Sequence, residues 1–362
     1  MNVKKILFIV QLYADRSPCQ RFRFEQYLDY FGQNGYECTF SGLVSKKDDK
    51  IFYSKGKVFR KFLLLIKFIF KRLRDIFRAG KYDIIFIQRE AFVLGSTVFE
   101  KWLSKKRAKL IYDFDDAIWL YNISEANKKF DWLKKPHKTS KIISYADLVI
   151  AGNRFLADYA KQFNNHVFIV PTTINTEEYK PSKTQVNSKI CIGWSGSVTT
   201  IEHFKYAIPF LRTIRQKYKD DIVFKVIGDA AFRNEELGIT GIAWKKENEI
   251  AELNTFDIGI MPLPDTEWAR GKCGLKGLQY MALEIPTIMS PVGVNSEIIK
   301  DGENGFLAAA ENEWVEKISR LIESEALRKS MGKKGRDTVF SKYSYDAQKD
   351  VYLDIFEKLL KI

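Results

Sequence analysis

Residues 270–308 read RGKCGLKGLQYMALEIPTIMSPVGVNSEIIKDGENGFLA, and the order of residue types in this stretch decides the fold class. Gly271, Gly274 and Gly277 alternate with Arg270, Lys272 and Lys276 on the approach to a helix expected near Gly274–Leu283. A short apolar strand, Thr287–Ser290, follows it. Loop, helix and strand in that order form the repeating half of a parallel α/β layer.

The same rhythm continues in both directions. Upstream, strands are expected at Lys189–Ser195, Val223–Gly228, Gly241–Trp244 and Ile258–Pro262, with a helix near Ile201–Tyr218. Further upstream lies a separate series: Lys5–Gln11, Glu37–Leu43, Ile84–Gln88, Lys109–Asp113, Leu148–Ala151 and Val167–Val170. Helices fall between them, including Arg21–Gly32 and Lys138–Tyr145. The polar run PTTINTEEYKPSKTQ, with two prolines, reads as a linker. Helices at Trp314–Ser324, Leu327–Phe340 and Tyr345–Ile362 close the chain. A length of 362 residues suits two domains. The expected division is 1–170, a linker at 171–186, a second domain at 187–343 and a terminal helix at 344–362 that can return to the first domain. Two doubly wound sheets imply ligands at the carboxyl ends of their strands.

Composition narrows the function. Cys19, Cys38, Cys191 and Cys273 are scattered, with no paired spacing, and only His137, His166 and His203 are present. That excludes a disulfide framework and argues against a histidine metal centre. The N-terminal apolar run, Ile6–Val10, is too short for a signal peptide and fits a buried strand. No run reaches the ~18–20 apolar residues of a spanning helix.

The net charge is +14, and residues 55–81 alone hold ten Lys or Arg against Asp75. Within the basic helix expected at 57–79, Phe62, Ile66, Ile69, Leu73 and Ile76 recur at helical spacing, and Phe59 and Phe70 widen the stripe. Such a helix lies in a lipid headgroup layer, with Phe59, Phe62 and Phe70 inserted and Arg60, Lys61, Lys67, Lys71 and Arg72 reaching anionic phosphates. The alternative is one face on the domain core with solvated charges. Nucleic acid is not an expected partner, because no recognition motif accompanies the aromatics.

Two constellations carry possible chemistry. Arg270, Lys272 and Lys276, with glycines between them at a helix start, form a diphosphate cradle; otherwise they are a solvated turn. Asp113, Asp115 and Asp116 follow an expected strand, where they suit a divalent metal or cap the next helix. Arg21 and Arg23 stand where they meet a phosphate or simply face water.

The run from Lys272 to Ala308 resembles the donor-nucleotide segment of family 4 glycosyltransferases (group 1, bacterial surface-polysaccharide type). GWSGSVTTIEHF (Gly193–Phe204), VIGD (Val226–Asp229), FDIGIMPL (Phe256–Leu263) and LRKSMGKKGRDTVFSKYSYD match in family order. The first half matches more loosely, through ILFIV, RFRFEQYL and IYDFDDAIW. The resemblance implies a GT-B fold: two Rossmann-like, doubly wound parallel-sheet domains facing across a cleft. It implies that Gly196 and Ser197 bring backbone N–H groups to the donor phosphate, joined by Gly228, Asp229 and Gly274. Lys272 and Lys276 then stabilise the leaving diphosphate, with Arg270 beside them. Trp244 lines the base pocket or is a core aromatic. The Glu-x7-Glu pair of the family falls on Gly271 and Gln279, so both carboxylates are missing; Gln279 is left to hydrogen-bond the ribose. Asp115 and Asp116 occupy the acceptor side, where a carboxylate orients a hydroxyl.

The function implied is a retaining glycosyltransferase that takes a nucleotide-sugar, a UDP-sugar by family default, to a lipid-linked or cell-surface glycan. It implies no cofactor and no metal, and a cytoplasmic enzyme peripheral to the membrane. A GT-B sugar-nucleotide epimerase and a non-catalytic glycan- or membrane-binding protein remain as alternatives.

Overall fold

The structure is a computed structural model that describes residues 3–54, 56–120, 137–182 and 189–361. It divides into two compact units, residues 1–172 with 348–362, and residues 173–347.

In the first unit, β1 (Lys4–Val10), β2 (Tyr36–Gly42), β3 (Ile84–Gln88), β4 (Lys109–Phe114), β5 (Leu148–Ala151) and β6 (Val167–Ile169) form one sheet in the order β2-β1-β3-β4-β5-β6. Every pair is parallel. A parallel strand is covered on both faces, so it reads as a continuous apolar run. Ile6 to Val10 and Ile84 to Ile87 are accordingly withdrawn from water. The strand order reverses between β1 and β3, and just past their carboxyl ends the Gln11 side-chain amide donates to Glu90.

The last helix, Tyr345–Lys361, contributes Tyr352 and Phe356 to the first unit's core. Their rings lie 5.0 Å from Tyr27 and 5.1 Å from Phe31, respectively. Burying each such ring contributes about 1.5–3 kcal/mol. The Tyr352 hydroxyl also donates to the Arg23 carbonyl at 3.1 Å.

The helix Val58–Arg78 packs by a face that its apolar spacing did not indicate. Leu64, Phe68, Arg72, Asp75 and Ile76 are buried, whereas Phe59 (72%), Phe62 (57%) and Phe70 (67%) stand exposed. Arg72 decides this. Its guanidinium donates to the Ala91, Ser41 and Val10 carbonyls at 2.5–3.1 Å and to Asp75 at 2.8 Å. A fully buried cation needs such partners, and only this face offers them. Arg72 therefore docks the helix and is no membrane contact. Lys71 is half-buried and donates to the Gly42 carbonyl; burial lowers its pKa.

The second unit's sheet runs β11-β8-β7-β12-β13-β14 and is also parallel throughout. Its strands are β7 (Ile190–Ser195), β8 (Ile222–Gly228), β11 (Ile242–Ala243), β12 (Ile258–Met261), β13 (Thr287–Met289) and β14 (Phe306–Leu307). An antiparallel hairpin, β9 (Arg233–Asn234) with β10 (Ile239–Thr240), interrupts the β8–β11 connection. The order reverses between β7 and β12. The stretch read as a linker is instead partly built into this unit: Ile174 and Tyr179 are buried, and Ile174 donates its N–H to the Tyr343 carbonyl at 2.8 Å. Residues 183–188 of that stretch lie outside the described residues.

Candidate functional site

In the second unit, the turn after β7 is fixed by glycine. A Cβ on Gly196 would lie 2.1 Å from the Trp194 ring, and one on Gly228 would lie 2.8 Å from the Gly196 backbone. Gly228 also has φ +144°, so β8 ends backbone-to-backbone against this turn. The N–H groups expected to face a phosphate are already committed. Gly196 donates to the Ile227 carbonyl at 2.8 Å and Ser197 to the Thr200 hydroxyl at 2.8 Å. Both residues shape the turn, and their amides are not the anion ligands.

The helix Leu275–Ala282 starts at Gly274, whose φ of +71° turns the chain into it. A Cβ there would meet the Ile298 side chain at 2.4 Å. Lys272 and Lys276 are half-buried. The Lys272 ammonium sits 4.5 Å above the Trp268 ring, and that of Lys276 lies 5.5 Å from the Trp194 ring. On the short helix Ile201–Phe204, burial first and then the positive charges of Lys276 and Lys272 push the His203 imidazole down to about 4. Arg270 departs from expectation: exposed, it pairs bidentately with Asp265 at 2.7 and 3.0 Å, which spends its charge locally. Asp265 also lines a cavity of about 400 Å³ at the carboxyl ends of β12 and β13, with Tyr206, Pro262, Leu263, Ser290 and Val292.

The residues expected around base and ribose form a closed network. Glu249 accepts from the Trp244 indole N–H at 2.8 Å, the Tyr179 hydroxyl at 2.7 Å and the Gln279 amide at 3.2 Å. Gln279 also donates to the Tyr179 hydroxyl at 2.9 Å and is buried. Its amide nitrogen thus serves the core, so the ribose role is withdrawn. Trp244 is half-buried with its N–H taken. Asp229 accepts from the Ala231 N–H at 2.8 Å and caps the turn that follows β8. Tyr179 and Glu249 carried no local signal, since they meet across 70 residues.

In the first unit, Arg23 is fully buried, bonded to Asp113 and the Val170 carbonyl, so it meets no phosphate. Burial raises the Asp113 carboxyl pKa, against the lowering effect of Arg23. Arg21 is half-buried, with its guanidinium 4.4 Å from the Phe22 ring centre. Asp115 accepts from Arg89 Nε at 2.8 Å, and Asp116 lies 3.7 Å from the same guanidinium. Asp116 also caps the Ala117 N–H at 3.0 Å. Arg89, which the sequence did not single out, follows β3 with φ +62°, a conformation that non-glycine residues seldom hold. It fixes both carboxylates at the carboxyl edge of the first sheet. Among the described residues, no three His, Cys, Asp or Glu side chains are placed to hold a metal ion.

Residues 189–324 match the family described as glycosyl transferases group 1. An uncharacterized glycosyltransferase from Methanocaldococcus jannaschii is 31% identical over 139 residues, which cover 34% of this chain and 39% of that protein. The chain therefore spans well under half the length of that relative. Among solved structures, sucrose-phosphate synthase from Thermosynechococcus elongatus has a TM-score of 0.71 at 14% identity, covering 99% of both chains. A glycosyltransferase from Rickettsia africae reaches 0.68 at 15% identity over 100% of both. HepE of Anabaena, solved with UDP and glucose, reaches 0.68 at 14% identity over 98% of this chain and 99% of its own. At such identities the likeness is one of fold. Residues 189–324, within the second unit, thus match the glycosyl transferases group 1 family, and the chain as a whole shares the two-sheet GT-B fold of these glycosyltransferase structures.

Proposed function

We propose that this chain is a retaining glycosyltransferase that moves a sugar from a nucleotide-sugar, a UDP-sugar, to a lipid-linked or cell-surface glycan. The observation that carries the reading is the pair of half-buried lysines, Lys272 and Lys276, at the start of the helix Leu275–Ala282, with the Lys276 ammonium over the Trp194 ring that packs under the glycine-built turn. As the anomeric C–O bond breaks, negative charge grows on the departing diphosphate, and two fixed cations in a partly dry site stabilise it. The first turn of Leu275–Ala282 adds its dipole. UDP in the HepE structures supports a uridine donor. Asp115, oriented by Arg89, positions the acceptor hydroxyl. This chemistry calls on no resident metal or cofactor.

The donor reading is tested by thermal unfolding with a panel of nucleoside diphosphates and their sugars. A ligand that binds only the folded chain stabilises it by about 2.7 kcal/mol at a hundredfold its Kd. One base class should raise Tm; a panel without any shift would sink the reading.

The exposed stripe of the helix Val58–Arg78 points to an anionic membrane as the working surface. Phe59, Phe62 and Phe70 stand in water among Arg60, Lys61 and Lys67, and Phe77 is 85% exposed. Among the described residues no helix is long and apolar enough to cross a membrane. Each phenylalanine inserted contributes about 1.5–3 kcal/mol, and each cation near an anionic surface about 1 kcal/mol. Phe62→Ser with Phe70→Ser should lower binding to phosphatidylglycerol vesicles at least about a hundredfold in a sedimentation assay. Equal partitioning of variant and parent would refute membrane insertion by this helix.

A further inference from the structure

The helix Val98–Leu103 lies against the helix Val58–Arg78, and Ala91 ties their inner faces together. The Ala91 carbonyl accepts from Arg72 Nε at 2.5 Å, and its N–H donates to Glu100 at 2.9 Å. Arg72 and Glu100 are both fully buried. Residues two apart on a helix point about 200° from one another. Phe70 and Trp102 each stand two positions from those buried residues, so each turns outward, and Trp102 is 43% exposed. The crossovers from β2 to β3 and from β3 to β4 run the same way across the sheet, and right-handed crossovers then put both helices on one face of it. The chain leaving the two helices also converges. β3 and β4 are parallel neighbours, with Ile84 paired to Lys109. The approach from Phe77 and the approach through Lys105, Lys106 and Arg107 therefore emerge side by side at the amino edge of the sheet. Lys101, Lys105 and Arg107 are exposed, Lys106 is half-buried, and no acid occurs between Lys101 and Tyr112.

We propose that Trp102, with Lys101, Lys105, Lys106 and Arg107, is a second contact of the first unit with an anionic bilayer, beside the contact made by the helix Val58–Arg78. The inference rests on the membrane reading of that helix. A single exposed aromatic is ordinary on a protein surface. Trp102 instead stands next to a stripe of exposed phenylalanines and is followed by cations that no neighbouring acid in the chain offsets. An indole settles at headgroup level, its ring towards the hydrocarbon and its N–H towards water. The ammonium and guanidinium groups around it complement lipid phosphates. A nucleic acid or an acidic protein would engage the cations but would not draw the indole and the phenylalanines into hydrocarbon. One helix on a bilayer is free to roll about its own axis. A second line of contact fixes that roll, and with it the direction in which the carboxyl edge of the first sheet, with Arg89 and Asp115, faces.

The test uses vesicles of phosphatidylglycerol, plain or brominated on the acyl chains, and vesicles of phosphatidylcholine. Trp102→Phe keeps a ring beside Phe99, whose centroid lies 6.4 Å from that of Trp102, and should fold as the parent does. In brominated phosphatidylglycerol vesicles the parent should lose tryptophan fluorescence, and Trp102→Phe should lose markedly less. Lys105→Gln with Lys106→Gln and Arg107→Gln should bind phosphatidylglycerol at least about tenfold more weakly at low salt, since each cation near the surface contributes about fivefold. Its Tm should stay close to the parent's. Equal quenching in parent and Trp102→Phe, or parent-like binding by the triple variant, overturns this inference. If Phe62→Ser with Phe70→Ser still weakens binding in that case, the reading of the longer helix stands. A parent protein that ignores phosphatidylglycerol vesicles, or binds phosphatidylcholine as tightly, overturns both.

Discussion

Replacing Lys276 by alanine is expected to lower kcat by about 10²–10³-fold and to leave folding almost unchanged. The magnitude is that of removing one preorganised donor from the place where charge develops in the transition state. The stability expectation has separate grounds. The variant gives up the ammonium's ring-face contact with Trp194, worth about 0.5–1 kcal/mol at a partly exposed site. Alanine is also the better helix former at this first-turn position. Lys276→Arg keeps the charge but moves it, and should recover part of the rate. Arg270→Ala is the matching control. Its guanidinium is held in an exposed pair with Asp265, so turnover should stay within a few-fold of the parent. Steady-state rates at saturating donor, with calorimetric Tm, check all three. Parent-like turnover in Lys276→Ala would remove the central assignment.

The largest stability effect is expected at Arg23 and Asp113. Arg23→Met leaves a carboxylate in a site closed to water with its cation gone, which costs about 3–5 kcal/mol. For a unit of this size that is a fall in Tm on the order of 10 °C. The pH dependence has a definite sign. The Asp113 carboxyl pKa is already raised in the folded state, so folding favours its protonated form. Losing Arg23 raises it further. The stability of the variant is therefore highest below the ordinary carboxylate value of about 3.9 and is lost as pH rises through the folded-state value. The deficit should be larger at pH 8 than at pH 5. Arg23→Met with Asp113→Leu removes both charges and should regain much of the loss, which thermal unfolding of the double variant will show.

The strands were legible because parallel strands covered on both faces need uninterrupted apolar residues. Ile84–Gln88 and Leu148–Ala151 were read to the residue, and most others within one. The hairpin Arg233–Asn234 with Ile239–Thr240 was missed, and so was Phe306–Leu307, since two-residue strands leave no periodicity to read. The helix Val58–Arg78 shows a different limit. Phe62, Ile66 and Ile69 of its regular apolar stripe lie outside while Ile76 is buried, and a buried arginine selects the inner face. Periodicity identifies a face but does not say which one the fold will use.

Local order in the chain determined the α/β class, the two sheet series and the glycine-and-lysine approach to the helix Leu275–Ala282, because each depends on residues close together in sequence. Only the tertiary structure decided which polar groups are left for chemistry. Arg23, Gln279 and the Gly196 amide look available along the chain, yet each is taken by a partner that folding brings in from elsewhere, while the Ser197 amide is taken locally by Thr200. The Lys276 ammonium comes to lie over the Trp194 ring for the same reason. A buried polar group must find its complement wherever the packed chain supplies it, and that choice is made across the fold, at distances no local pattern spans.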